Sequence, residues 1–207
     1  MTGTTPDASG GRWQLLTVCT YTRTRSVMMA ALLGRAFDRQ LGPGAVEIHS
    51  TGFVRDGLPP IDAALDAMER RGLDVSAHRS SVATAEVVDR ADLILTAERD
   101  HVVRVASLSR AAYARAVTLP ELLVRVADAP RPGLGDRSDE VASNELRDWA
   151  VGLTAGRSAQ DYLRRAVPEI ADPTGSTMRV FEQAVDALEA QCDQAAAAIS
   201  RVLTART

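Results

Sequence analysis

The sequence predicts an α/β protein of three layers, with a central parallel sheet of four strands covered by helices on both faces. Two observations carry this. Short apolar runs alternate along the chain with segments whose apolar residues recur at helical spacing, and strands joined through helices pair in parallel. The size also fits: 207 residues, 45% hydrophobic and 25% charged, make one domain, or one domain with an insertion, long enough to bury a substantial core.

Residues 1–11 are small, polar and glycine-rich; they are expected to be a disordered tail and, lacking an apolar stretch, neither a signal peptide nor an anchor. Trp13–Val18 is the first strand. From residue 26 to about 40, MMAALLGRAFDRQ keeps helical spacing until Gly42-Pro43-Gly44 stops it. Residues 45–50 alternate as the second strand. A turn at 57–60 precedes IDAALDAMERR, an amphipathic helix that ends at Gly72. Residues 84–90 form a short helix with Thr84 as its cap. Residues 92–96, DLILT, read as a third, buried strand, followed by a helix over 98–107. Residues 116–119 make a fourth strand and 120–127 a helix. The stretch DAPRPGLGDRSD at 128–139 is a loop by its proline, glycine and charge. With two moderately helical stretches, 140–151 and 158–166, it makes residues 128–168 a longer, variable segment. One long helix, from 176 to about 204, closes a single domain spanning 12–207.

Charge and cysteine content exclude several classes. A formal net charge of −3 argues against a nucleic-acid binder, which normally carries a basic bias. No apolar run approaches the roughly 20 residues of a membrane helix, so no membrane partner is expected. Cys19 and Cys192 are the only cysteines; no disulfide framework is implied, which suits a reducing cytoplasm. Two distant cysteines and three scattered histidines offer no metal-ligand spacing.

The chemistry concentrates in VCTYTRTRSV, residues 18–27, between the first strand and the first helix. Successive backbone N–H groups of such a loop, with the positive end of the helix behind them, form a cradle for a dianion. The same field favours the thiolate of Cys19. Arg25 has the planar fork that grips two phosphate oxygens, and Ser26 can donate to the sulfur and help it leave. Nucleophilic attack on phosphorus, giving a phosphocysteine that water hydrolyses, suits this set. Taken alone, Cys-x5-Arg leaves open a plain buried strand-end cysteine.

Further motifs in order resolve that ambiguity by resemblance. With VC-x5-RS at 18–26, the chain carries Ser50-Thr-Gly52, Gly72-Leu-Asp-Val-Ser-Ala-His-Arg-Ser80, Ala91-Asp-Leu-Ile-Leu95 and Asp172-Pro173. In this it resembles the low-molecular-weight protein tyrosine phosphatase family, which also includes related arsenate reductases. The likeness is good over 13–107, moderate over 170–203 and weak over 108–169. It implies that Cys19 is the nucleophile, that Thr20, Tyr21, Thr22, Arg23, Thr24, Arg25 and Ser26 form the phosphate-binding loop, and that Asp172 is the general acid and later the base. Ser50 and His78 would support the loop. Read without the resemblance, Asp172-Pro173 is equally a turn and His78 an exposed residue flanking a helix; His49 and His101 read as surface or strand-end residues. The implied substrates are phosphotyrosine proteins or small aryl phosphates, with inorganic phosphate or sulfate as ligands, and no metal or organic cofactor.

The loop departs from the family pattern Cys-x-Gly-Asn-x-Cys-Arg-Ser. Tyr21 stands for the glycine, Thr22 for the asparagine and Thr24 for the second cysteine. The asparagine position is left-handed in the family, a conformation that a β-branched residue resists at a cost of about 1–2 kcal/mol. Thr22 also lacks the two-ended amide that would bond Ser50, Ser26 and His78. Arg23 adds a cation beside the cradle. Thr174 and Gly175 come after Asp172-Pro173 where relatives place aromatic residues, leaving Tyr21 as the candidate wall for an aryl ring. Two rivals stay open: an arsenate reductase regenerated by an external low-molecular-weight thiol, and a weakly catalytic pseudophosphatase that binds phosphorylated or anionic partners.

Overall fold

The computed structural model describes residues 13–128, 142–164 and 166–204. Four parallel strands make one sheet in the order β2-β1-β3-β4: β1 (Trp13–Val18), β2 (Val46–Thr51), β3 (Leu93–Thr96) and β4 (Ala116–Thr118). This is the expected doubly covered sheet. Neighbouring strand residues point to opposite faces, and both faces are apolar. Leu15, Leu93, Leu95 and Val117 enter one core cluster, while Leu16, Val18, Ile94 and Ala116 enter the other.

The helices divide accordingly. The larger cluster takes residues of α1 (Arg25–Leu41), α2 (Asp62–Glu69), α6 (Leu119–Asp128), α7 (Ala142–Leu153) and α9 (Met178–Thr204). On the opposite face lie α3 (Ala85–Arg90), α4 (Arg99–Leu108) and the single turn α5 (Arg110–Tyr113), with Tyr162 of α8 (Ala159–Arg164). Thr84 caps α3 by accepting from the Val87 N–H at 3.3 Å, as its position before the helix suggests. The turn α5 has no signature in the sequence: its four residues are held between Ser109, which caps it, and β4.

The expected tail over 1–11, and all but the first residue of the loop over 128–139, lie outside the described residues. The helix α7, C-terminal to that loop, is built into the core. Its Leu146, Ala150 and Leu153 are buried beside Phe181 and Leu188 of α9.

The strand order places the chain's reversal between β1 and β3, since the path leaves β1 for β2 on one side and then crosses to β3 on the other. Ligand crevices of open α/β sheets form outside the carboxyl ends of the strands at such a point. The segments there are 19–24, after β1, and 97–98, after β3.

Candidate active site

The loop after β1 is shaped from outside. Its carbonyls are taken one by one by the surrounding chain: Thr20 O accepts from the Phe53 N–H at 2.8 Å, and Arg23 O from the Ile61 N–H at 3.0 Å. Thr22 O accepts from His78 Nε2 at 2.7 Å. Carbonyls bound outward leave a loop's amides available on its inner side, the geometry of an anion-binding nest. The Thr22 N–H donates to Cys19 Sγ at 3.3 Å, and Ser26 Oγ lies 3.1 Å from the same sulfur. Cys19 is 3% exposed.

Thr22 has φ 54°, the one left-handed non-glycine residue described; its hydroxyl oxygen is buried without a partner among the described residues. Both features are costly for a β-branched residue. Gly52 makes room for it, because a Cβ there would collide with Thr22 Oγ1 and lie 2.7 Å from Thr20 O.

Arg25 opens α1, whose first turn carries no acidic residue. Its guanidinium is engaged on both terminal nitrogens. Nη1 pairs with Glu98 and donates to Ile170 O at 3.0 Å, while Nη2 donates to Asp172 Oδ2 at 3.0 Å. Glu98 is the N-cap of α4. The Asp172 loop is tied down beside it, by Ile170 N–H to Ala97 O at 2.8 Å and Thr118 Oγ1 to Pro168 O at 2.6 Å. Asp172 Oδ1 accepts from the Thr174 N–H at 3.0 Å, and Gly175 comes next at φ 81°, the left-handed corner of a turn closed by the Ser176 N–H on Pro173 O at 3.1 Å.

Thus the structure brings Cys19, Thr20, Tyr21, Arg23, Thr24, Arg25 and Asp172 around one pocket of about 220 Å³, with Ile61 and Thr174. Tyr21 is 53% exposed at its rim. Arg23 donates through Nε to Pro59 O at 2.7 Å. Thr22 and Ser26 are buried and are not among the residues that line the pocket. Ser50 is elsewhere: its carbonyl accepts from Ser81 Oγ at 3.2 Å, and it lines a separate groove beside β2. His49, paired with Glu47 at 2.9 Å, is exposed on that strand.

His101 corrects the sequence reading. It is not a surface residue but 1% exposed, its ring stacked on Phe53 at 5.9 Å. Nδ1 accepts from the Glu98 N–H at 3.1 Å, and Nε2 lies 3.0 Å from Thr20 Oγ1. Burial pushes its pKa down to about 4. His78 is also held below its ordinary range by burial. Glu98 and His101 form a capping box at the start of α4, with the histidine as its third residue; that pattern marks a helix start, and the burial of His101 has no signal of its own in the sequence.

A cysteine sulfur that accepts a loop amide at the switch point of a doubly wound sheet, with an arginine and an aspartate around the same pocket, makes a candidate anion site on a flavodoxin-like frame. The sequence pattern of the low molecular weight phosphotyrosine protein phosphatase family matches residues 14–138, and the chain belongs to that family. It is 38% identical over 81 residues to a probable low molecular weight protein-tyrosine-phosphatase, EpsP, of Ralstonia solanacearum. The match covers 39% of this chain and 52% of EpsP, so the chain spans about half the length of the curated relatives it matches. Among solved structures it resembles the arginine phosphatase YwlE of Geobacillus stearothermophilus, with TM-score 0.62 and 26% identity over 89% of this chain and 91% of that one. The tyrosine phosphatase Wzb of Escherichia coli K30, solved in complex with sulphate, shares the fold at TM-score 0.60 and 18% identity, over 89% and 96% of the two chains.

Proposed function

We propose that this chain is a cysteine-dependent phosphatase that hydrolyses phosphotyrosine, on proteins or small aryl phosphates, through a phosphocysteine intermediate. The observation that carries the reading is the sulfur of Cys19 at the pocket floor, 3.3 Å from the Thr22 N–H and 3.1 Å from Ser26 Oγ, with Arg25 and Asp172 on the same wall. Family membership and the sulphate bound to a protein of the same fold support an oxyanion as the ligand.

The positions dictate the steps. The Asp172 side of its pair with Arg25 is 49% exposed, so solvent screens the contact and it yields to a phosphate dianion. Arg25, still held by the Glu98 carboxylate, turns its freed nitrogen to the phosphoryl oxygens and stabilises their charge in flight. Cys19 Sγ attacks phosphorus as the thiolate, and the S–P bond forms as the P–O bond to the phenol breaks. Asp172, having taken a proton from solvent on leaving Arg25, delivers it to the leaving oxygen. In the second step water attacks phosphorus, Asp172 accepts its proton, and the S–P bond breaks. The Ser26 hydroxyl and the Thr22 amide stabilise the departing thiolate. No step draws on a metal or organic cofactor.

Binding without turnover is the second reading. It is favoured by the left-handed Thr22 with its unpartnered hydroxyl and by an arginine already engaged by two carboxylates. No described helix is long and apolar enough to cross a membrane; we place the protein in the cytoplasm, where Cys19 stays reduced.

Hydrolysis of p-nitrophenyl phosphate tests the proposal. Wild type should turn over, Cys19→Ser should lose activity by at least about 10³-fold and Asp172→Asn by about 10²-fold. Phosphotyrosine and phosphoarginine peptides then separate the substrate class from that named for YwlE. Wild type that binds phosphate but never releases p-nitrophenol would establish the second reading.

A further inference from the structure

We propose that Thr20 and His101 form a dyad in which the histidine accepts no proton and performs no chemistry, but directs the threonine hydroxyl to donate to the bound phosphoryl group. This rests on the phosphatase reading and names a side-chain donor within its site.

A backbone donor fixes the tautomer of the histidine. The Glu98 N–H can only donate, and it donates to His101 Nδ1 at 3.1 Å. Nδ1 is therefore the unprotonated nitrogen, and Nε2 carries the hydrogen. Nε2 stands 3.0 Å from Thr20 Oγ1, so the ring donates and the hydroxyl accepts. That uses one lone pair of Thr20 and leaves its O–H hydrogen without an acceptor among the described hydrogen bonds. Thr20 lines the same pocket as Cys19 and Arg25. A hydroxyl hydrogen with no acceptor among the described residues, at the wall of an anion pocket, has one natural partner, an oxygen of the ligand.

The surroundings keep this orientation. Phe53 stacks on the ring, and its own N–H holds the Thr20 carbonyl at 2.8 Å, so one residue braces both members. Glu98, Asp100, Arg25 and Arg104 are the charged groups facing His101. Their signs offset one another, and burial dominates, keeping the imidazole neutral above pH of about 4. A protonated ring would lose the acceptor for the Glu98 N–H, so the neutral form is the one that holds Thr20. Nothing in the sequence pairs these residues, which stand 81 positions apart.

Thr20→Val removes the hydroxyl and keeps the shape. It should lower kcat/KM for p-nitrophenyl phosphate by roughly ten- to a hundred-fold, and weaken competitive inhibition by inorganic phosphate by about tenfold. Thr20→Ser restores a hydroxyl and should recover most of both losses. His101→Leu should cost a similar factor in a wild-type background and much less in Thr20→Val, because it acts through that hydroxyl; thermal unfolding with and without phosphate identifies a variant that fails only by misfolding. Should wild type turn over while Thr20→Val matches it within about threefold, the dyad is overturned and the phosphatase stands. A wild type that binds phosphate without turnover, and loses about tenfold of that affinity in Thr20→Val, upholds the dyad and overturns the phosphatase. A wild type that neither binds phosphate nor turns over overturns both.

Discussion

Thr22 is the residue where sequence and geometry meet most sharply. A β-branched side chain sits at φ 54° with its hydroxyl oxygen buried and unpartnered, yet the backbone around it does what the pocket needs, giving its N–H to Cys19 and its carbonyl to His78. The strain is local and removable. Thr22→Asn relieves the left-handed position and supplies an amide that can satisfy itself, so the unfolding free energy should rise by about 1 kcal/mol. Equilibrium urea unfolding measures this; an unchanged or lower midpoint would mean that the pocket around Gly52 has no room for the longer side chain. If the binder reading is right, the same variant should gain turnover.

At the scale of elements, α7 is the informative case. Its sequence is only moderately helical and comes after a long proline- and glycine-rich stretch, so it reads as part of a variable segment rather than as core. The helix nevertheless buries Leu146, Ala150 and Leu153 against the same cluster as α9, and Arg147 reaches Asp92 at 3.2 Å beside β3. Leu146→Ala should therefore destabilise the whole domain by roughly 2–4 kcal/mol, visible as a lower denaturant midpoint with unchanged slope. A cost below about 0.5 kcal/mol, the size of a surface change, would return α7 to the status of an appendage. The short turn α5 illustrates the converse: no periodicity can announce four residues whose helicity is imposed by Ser109 and the neighbouring strand.

For the molecule as a whole, the buried histidine links the site to stability. His101 has a pKa of about 4 in the fold against about 6.5 in an unfolded chain. Above pH of about 6.5 neither state is protonated, and the contribution is complete. As pH falls from there towards about 4, the unfolded chain binds a proton that the folded chain refuses, so stability declines, by roughly 3 kcal/mol over the window. His78, lowered in the same direction by burial, adds to the decline. Guanidinium unfolding at pH 7 and pH 4 should show this loss in wild type and a clearly smaller one in His101→Gln. Equal losses in the two proteins would assign the acid sensitivity to other groups.

Strand and helix order, the parallel sheet and the position of the Cys19 loop were legible in the sequence, because apolar periodicity and turn residues are local signals that the burial of both sheet faces then obeys. The strain at Thr22 was legible only through the family resemblance, which implies a left-handed backbone there; such a backbone penalises β-branching wherever it occurs. What only the tertiary structure decided lies between segments distant in the chain. Glu98 and Asp172 meet on Arg25 across 73 and 147 positions, Ser50 lines a groove separate from the pocket of the loop that His78 holds, and His101 comes to rest beside Thr20. The physical reason is that a polar side chain's partner is set by which strand ends the sheet order brings together. Here β1 and β3 are neighbours while β2 lies outside, and no spacing along the chain encodes that choice.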